Sequence, residues 1–177
     1  MTGTSRTLAA AAVLLVALVG CGKTVEGKPV PVGSGPSAHA DFPKLMRECK
    51  IVDEDKIAKY VGAQGIDDTF TGAICRWNGV GPSGTVHVVL NWFETGSLRN
   101  ERDTATKLKY QIGDITIQGG RGVRLQRPGD TDACGVSVTA FDAGVLGWWV
   151  HYMPGSSHPD PCEAAKKLAE ASLNLTR

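Results

Sequence analysis

The chain has 177 residues, of which 42 % are hydrophobic, and sets 19 Lys and Arg against 18 Asp and Glu for a net charge of +1. A balance this even leaves no basic stripe to follow a phosphate backbone and no acidic tail, which excludes a nucleic-acid partner.

The amino terminus, MTGTSRTLAAAAVLLVALVGCGK, puts one positive charge, Arg6, ahead of an unbroken apolar run from Leu8 to Gly20. The run is too short to span the ~30 Å of bilayer hydrocarbon, which takes about 20 helical residues. It has instead the length and the small-residue end of a secretory signal. Leu18, Val19, Gly20 and Cys21 match the bacterial lipobox. In lipoproteins of that type a diacylglycerol is joined to the Cys thiol and the peptide is cut just before it. Residues 1–20 are therefore expected to be a lipoprotein signal peptide and Cys21 the lipidation site. One acyl chain holds marginally and two hold stably, at ~0.8 kcal/mol per buried CH₂. The expected location is the extracytoplasmic face of the cell membrane, in the cell envelope, with the membrane as a partner through the anchor. Gly22-Lys23-Thr24 ends like a phosphate loop, but Ala17 stands where that motif needs Gly.

Residues 21–41 read as the lipidated Cys and a flexible linker rich in Gly, Pro and Ser. Residues 42–177 read as a single α+β domain without internal repeats. Within it, 43–49 and 53–61 have helical patterning, the second with Asp53 as cap and Ile57, Tyr60 and Val61 on one face. Strands are predicted over 72–78 and 85–93, joined by a turn at 81–84. In the second of them Val86, Val88, Leu90 and Trp92 share one face, and His87, Val89, Asn91 and Phe93 the other. Ser97 caps a charged helix over 98–109. Strands follow at about 111–118, 121–127, 134–141 and 145–153, with a hairpin turn at Gly119–Gly122. The last helix starts at Asp160 as N-cap, with Pro161 at the first helical position and Glu163 in a capping box. Ala164, Leu168 and Leu173 form its buried stripe. The class is α+β with a largely antiparallel β-sheet flanked by helices.

Of the five cysteines, Cys21 is assigned to lipid. Cys49, Cys75, Cys134 and Cys162 remain, an even set that in an exported chain reads as two disulfides with three pairings open. Their spacing does not suit zinc. The sequential pairing, Cys49–Cys75 with Cys134–Cys162, is favoured, each bridge contributing about 3–4 kcal/mol on the chain-entropy model.

No nucleophile elbow, zinc-protease helix or phosphate loop is present, so no catalytic residue, cofactor or metal is assigned. His87 and His151 sit in strands, where a lone His is usually satisfied by a neighbour. His158 stands close to Asp160 and reads as local capping. Two features suggest a binding surface. The run WFETGSLRNER gathers Trp92, Glu94, Arg99, Glu101 and Arg102 around one strand-to-helix turn. The pair Trp148-Trp149 puts one indole on each face of its strand, and Trp149 is taken as the second candidate anchor.

Taken together, the lipobox, LMRECKIV, FTGAICRW, WFETGSLRNER, ACGV and GVLGWWV resemble the LprC-like (LprB/LprC-type) family of mycobacterial and actinobacterial lipoproteins, whose domain has no assigned function. The resemblance implies a lipid-anchored envelope protein with paired cysteines at Cys49, Cys75, Cys134 and Cys162, and a domain similar to the Mog1/PsbP-like fold. It offers no catalytic residue. The leading functional expectation is a non-catalytic binding module for an envelope protein, glycan or lipid, with Trp92 or Trp149 exposed together with the Glu94–Arg102 turn. The alternative is a carrier of lipid or a small hydrophobic molecule, which needs an apolar cavity under a helix. A hydrolase is the third reading.

Overall fold

Alternation of inward and outward side chains along successive strands builds one antiparallel sheet. The computed structural model describes residues 48–72, 74–140 and 144–175. The strands are β1 (Gly65–Phe70), β2 (Ile74–Gly81), β3 (Gly84–Phe93), β4 (Gln111–Ile117), β5 (Gly120–Gln126), β6 (Ala133–Thr139) and β7 (Val145–Tyr152). They form a seven-stranded sheet in the order β1-β2-β3-β7-β6-β5-β4. Three helices accompany it among the described residues: α1 (Glu54–Val61), α2 (Leu98–Lys107) and α3 (Pro161–Leu175). The expected α+β class and antiparallel sheet are those of the structure. The signal peptide, Cys21, the linker and nearly all of the predicted helix at 43–49 lie outside the described residues.

The main core lies between one face of the sheet and helices α1 and α3. Cys75 and Trp77 of β2, Val86, Val88 and Leu90 of β3, and Leu146, Trp148 and Val150 of β7 meet Ile57 and Val61 of α1 and Ala165, Leu168 and Leu173 of α3. Each large aliphatic or aromatic side chain buried here stabilises the fold by about 1.5–3 kcal/mol. Trp148 is 0 % exposed, stacks on Trp77 at 5.5 Å between ring centroids and donates its indole N–H to Ser172 Oγ at 2.9 Å. Ser172 Oγ in turn donates to the Leu168 carbonyl at 2.9 Å, so the polar tip of the buried indole is satisfied.

Local chemistry sets the element ends. Asp160 Oδ1 accepts from the N–H groups of Cys162 at 2.7 Å and Glu163 at 3.3 Å, capping α3 as its sequence indicates. Ser97 Oγ accepts from the Asn100 N–H at 3.2 Å and caps α2. Asp53 occupies the N-cap of α1 without a capping side-chain bond; its carboxylate pairs with Lys56 at 3.5 Å instead. In the β2–β3 turn Pro82 cannot adopt positive φ, so Gly84, at φ 81°, supplies the left-handed residue. The β4–β5 turn is Gln118-Gly119, both at positive φ, one residue earlier than the glycine run suggests. Gln118 Nε2 pins that turn to α3 through the Glu170 carbonyl at 3.0 Å and Asn174 Oδ1 at 2.8 Å.

Edge strand β1 was not anticipated from sequence. It pairs antiparallel with β2 on one side only, with an irregularity between Asp68 and Phe70. The sequential pairing is the one in the structure. Cys49 joins Cys75, tying the segment before α1 to β2, and Cys134 joins Cys162, tying β6 to the first turn of α3. Removing the second bridge through Cys134→Ala with Cys162→Ala should lower the unfolding free energy by about 3–4 kcal/mol in urea titrations. An unchanged midpoint would mean that α3 is held by packing alone.

Candidate functional site

The second face of the sheet is built differently. Strand register sets Val89 of β3, Trp149 of β7 and Gly135 of β6 side by side. Gly135 has no side chain, and a Cβ there would lie 2.3 Å from Trp149 Cε2; the indole therefore lies across bare backbone. Tyr110 meets Trp149 edge-on at 6.0 Å between ring centroids, His151 stacks beside it at 5.6 Å and the Arg127 guanidinium reaches over it at 5.7 Å. Arg127 is steadied by Tyr110 Oη at 3.4 Å and by Asp130 at 3.6 Å. A small second core of Ala105, Val123 and Leu125 packs alongside.

Helix α2 crosses this face over β4, β5 and β6, with Ala105 as its single buried residue. Two clefts open beside it. One, of about 310 Å³, is lined by Trp149, Tyr110, Leu125, Leu108, Arg127, His151 and Glu101, among others. The other, of about 750 Å³, is lined by Arg99, Arg102, Arg121, Asp103 and Asp114, with Thr116 and Thr139. Glu101 accepts from the buried Ser137 hydroxyl at 3.3 Å, and Arg102 pairs with Asp114. These two contacts fasten a largely polar helix to the sheet.

The six residues singled out from sequence do not share one face. Trp149 and Glu101 line the smaller cleft, and Arg99 and Arg102 the larger. Glu94 is exposed in the turn before α2. Trp92 is partly buried against the main core, on the opposite side of the sheet. The two-residue period explains the split: Trp92 follows Leu90 into the core face, whereas Trp149 is registered with Val89. Sequence reasoning missed Tyr110, Arg127, His151 and Gly135 as its neighbours. His151 alone had a signal, standing two residues after Trp149 in the same strand.

The histidines divide by environment. His158 is not a cap. Its Nε2 lies 3.0 Å from Asp132 Oδ1, its Nδ1 lies 2.7 Å from the Pro159 carbonyl, and its ring stacks on Tyr152 at 4.2 Å. Asp160 is engaged in capping α3 instead. Burial alone would lower the His158 pKa, but the bonds to Asp132 and Pro159, with the charges of Asp132 and Asp160, raise it above 6.5. Tyr152 donates to the Val61 carbonyl at 3.0 Å; burial, then the Asp160 charge, push its pKa up to about 12. His151 titrates below 6.5, through burial first and the Arg127 charge second. Among the described residues no group of three His, Cys, Asp or Glu is placed to hold a metal ion.

Over residues 16–175 the chain matches the family described as "Protein of unknown function (DUF3558)". The match spans most of the sequence, and the chain belongs to that family. Comparison with curated proteins and with solved structures gives no match.

Gly135→Ala should eject the Trp149 indole from its seat, red-shifting tryptophan emission while Trp148 and the core remain in place; an unchanged spectrum would contradict the seat. The Asp132–His158 contact contributes stability that is fully present below pH 6.5, the unfolded value, and is lost as pH rises through the raised folded value. His151 acts with the opposite sign, its contribution being lost as pH falls below 6.5. The difference in unfolding free energy between the native chain and Asp132→Asn should therefore shrink from pH 6 to pH 8 (an illustrative window around the ordinary value, ~6.5). A difference that grows over that range would refute the assignment.

Proposed function

We propose that the chain is a lipid-anchored envelope lipoprotein of the LprB/LprC type, exported by residues 1–20 and held at the extracytoplasmic face by acyl chains on Cys21. Its domain acts as a non-catalytic binding module. The lipobox, the Gly/Pro/Ser-rich linker and the two disulfides, which persist in oxidising compartments, support the location. The binding role rests on one observation above all: Trp149 is half-buried in an open cleft ringed by Arg127, His151, Glu101 and Tyr110. Aromatic side chains with polar neighbours at the rim are the composition of recognition surfaces.

The carrier reading has less to draw on. The space between the sheet and α1 and α3 is filled by Trp77, Trp148, Leu90 and Leu168, and the cleft beside Trp149 is open. A hydrolase reading finds both ring nitrogens of His158 already engaged.

Two measurements test the proposal. The intact mass of the membrane-extracted protein should correspond to a chain starting at an acylated Cys21, and Cys21→Ser should leave an unprocessed precursor; an unacylated mature chain would overturn the anchor. A photo-crosslinking residue at Leu108, which is 54 % exposed beside the cleft, should capture a defined envelope component in intact cells. The same residue at the exposed Lys167 of α3 should not. Equal capture at both positions, or none, would overturn the binding face.

A further inference from the structure

We propose that the bare part of the sheet beside α2 binds a neutral, extended oligosaccharide, with Trp149 as the stacking platform at one end. The inference rests on the binding-module reading and assigns the ligand class of the same face.

On this side of the sheet α2 makes its main contacts with β4, β5 and β6; of β1, β2 and β3, only Val89 of β3 joins it in lining the smaller cleft among the described residues. Register sets their side chains in rows. Asn78, His87 and His151 form one row across β2, β3 and β7. Arg76, Val89 and Trp149 form the next, and Ile74, Asn91 and Gly147 the one after. Arg76, Asn78 and His87 are exposed, and Asn91, Trp149 and His151 are half-buried. Neighbouring strands lie ~4.8 Å apart, so the Asn78–His87–His151 row offers polar groups at regular steps, close to the length of a pyranose ring, while the other two rows mix polar and apolar side chains.

The chemistry of the rows selects the ligand. His87 Nδ1 lies 2.6 Å from Asn78 Oδ1. An amide oxygen only accepts, so His87 donates from Nδ1; its Nε2 is left to accept and the Asn78 amide NH₂ to donate. A sugar hydroxyl donates and accepts at once, and this pair answers both needs. The rows carry Arg76 and, where the first continues onto β1, the exposed Asp67 beside Asn78; opposite charges this sparse suit neither a polyanion nor a polycation. His151 stays mostly neutral at pH 7, because burial first and the Arg127 charge second hold its pKa below 6.5. A purely apolar ligand would strip water from the Asn and His side chains without replacing its hydrogen bonds. Trp149 completes the set. One face of its indole rests on Gly135; the Arg127 guanidinium lies over the ring at 5.7 Å from the centroid, on a half-exposed side chain, and a sugar ring stacks on the indole by displacing it. The electron-rich face of an indole attracts electropositive groups, and the C–H face of a pyranose is one.

The test is calorimetric titration of the intact protein with maltohexaose, cellohexaose and mannohexaose, alongside polygalacturonate and phosphatidylglycerol vesicles. At least one neutral hexasaccharide should bind saturably and change tryptophan emission. Trp149→Ala should weaken that binding about tenfold or more, and Asn78→Ala or His87→Ala severalfold. Asn78 is exposed, so its variant keeps the fold and the comparison holds even if Trp149→Ala does not fold. The proposal falls if no neutral hexasaccharide binds, if only polygalacturonate or vesicles bind, or if Asn78→Ala and His87→Ala leave affinity unchanged. Capture at Leu108 without neutral saccharide binding would sink the glycan and leave the binding module standing; failure of both would remove both.

Discussion

The two-residue period of β7 is the constraint on which the rest of the structure depends. Successive side chains in a strand point to opposite faces, so the adjacent Trp148 and Trp149 cannot share an environment. Trp148 goes to the helix-covered face, where Trp77 stacks on it and Ser172 takes its N–H. Trp149 goes to the other face and lies on Gly135. Because β7 is paired on both sides, with β3 and with β6, a slip of one residue would exchange the two indoles and break the rows on both neighbours.

This sorting makes the two faces unequal. The face beneath α1 and α3 is closed by close-packed aliphatic and aromatic side chains and by the disulfides from Cys49 and Cys162. Among the described residues the opposite face carries α2, whose buried contact is Ala105 and whose fastenings are Glu101 to Ser137 and Arg102 to Asp114. Stability is concentrated on one side, which frees the other to carry Asn78, His87, His151 and Trp149 without loss of the core. A rigid scaffold that leaves one surface available is the arrangement a recognition module needs.

Periodicity and capping chemistry made much of this legible beforehand. The inward set of Val86, Val88 and Leu90, the caps at Ser97 and Asp160, and the stripe of Ala164, Leu168 and Leu173 all follow from local rules. Strand β1 did not, because Gly65-Ile66-Asp67-Asp68-Thr69-Phe70 has two acids in a row and no buried alternation; pairing with β2 alone holds it as a strand. Nor did any local rule set β3 beside β7, since that contact joins segments more than fifty residues apart in the chain (Val88 with Val150). The division of the candidate surface between two faces has the same origin. Trp92 and Trp149 each belong to a strand with two faces, and only the register between β3 and β7 tells which faces coincide. The Asp132–His158 contact and the seat of Trp149 on Gly135 are likewise products of pairing and packing.

Hydrogen exchange of the individual indole N–H groups, followed by NMR on the intact protein, tests this sorting most directly. The Trp148 N–H, buried and bonded to Ser172, should exchange only when the whole domain unfolds, and so should slow with every stabilising condition. The Trp149 N–H should exchange orders of magnitude faster and be insensitive to global stability. Equal protection of the two, or a fast-exchanging Trp148, would contradict the two-faced sheet from which the binding face follows.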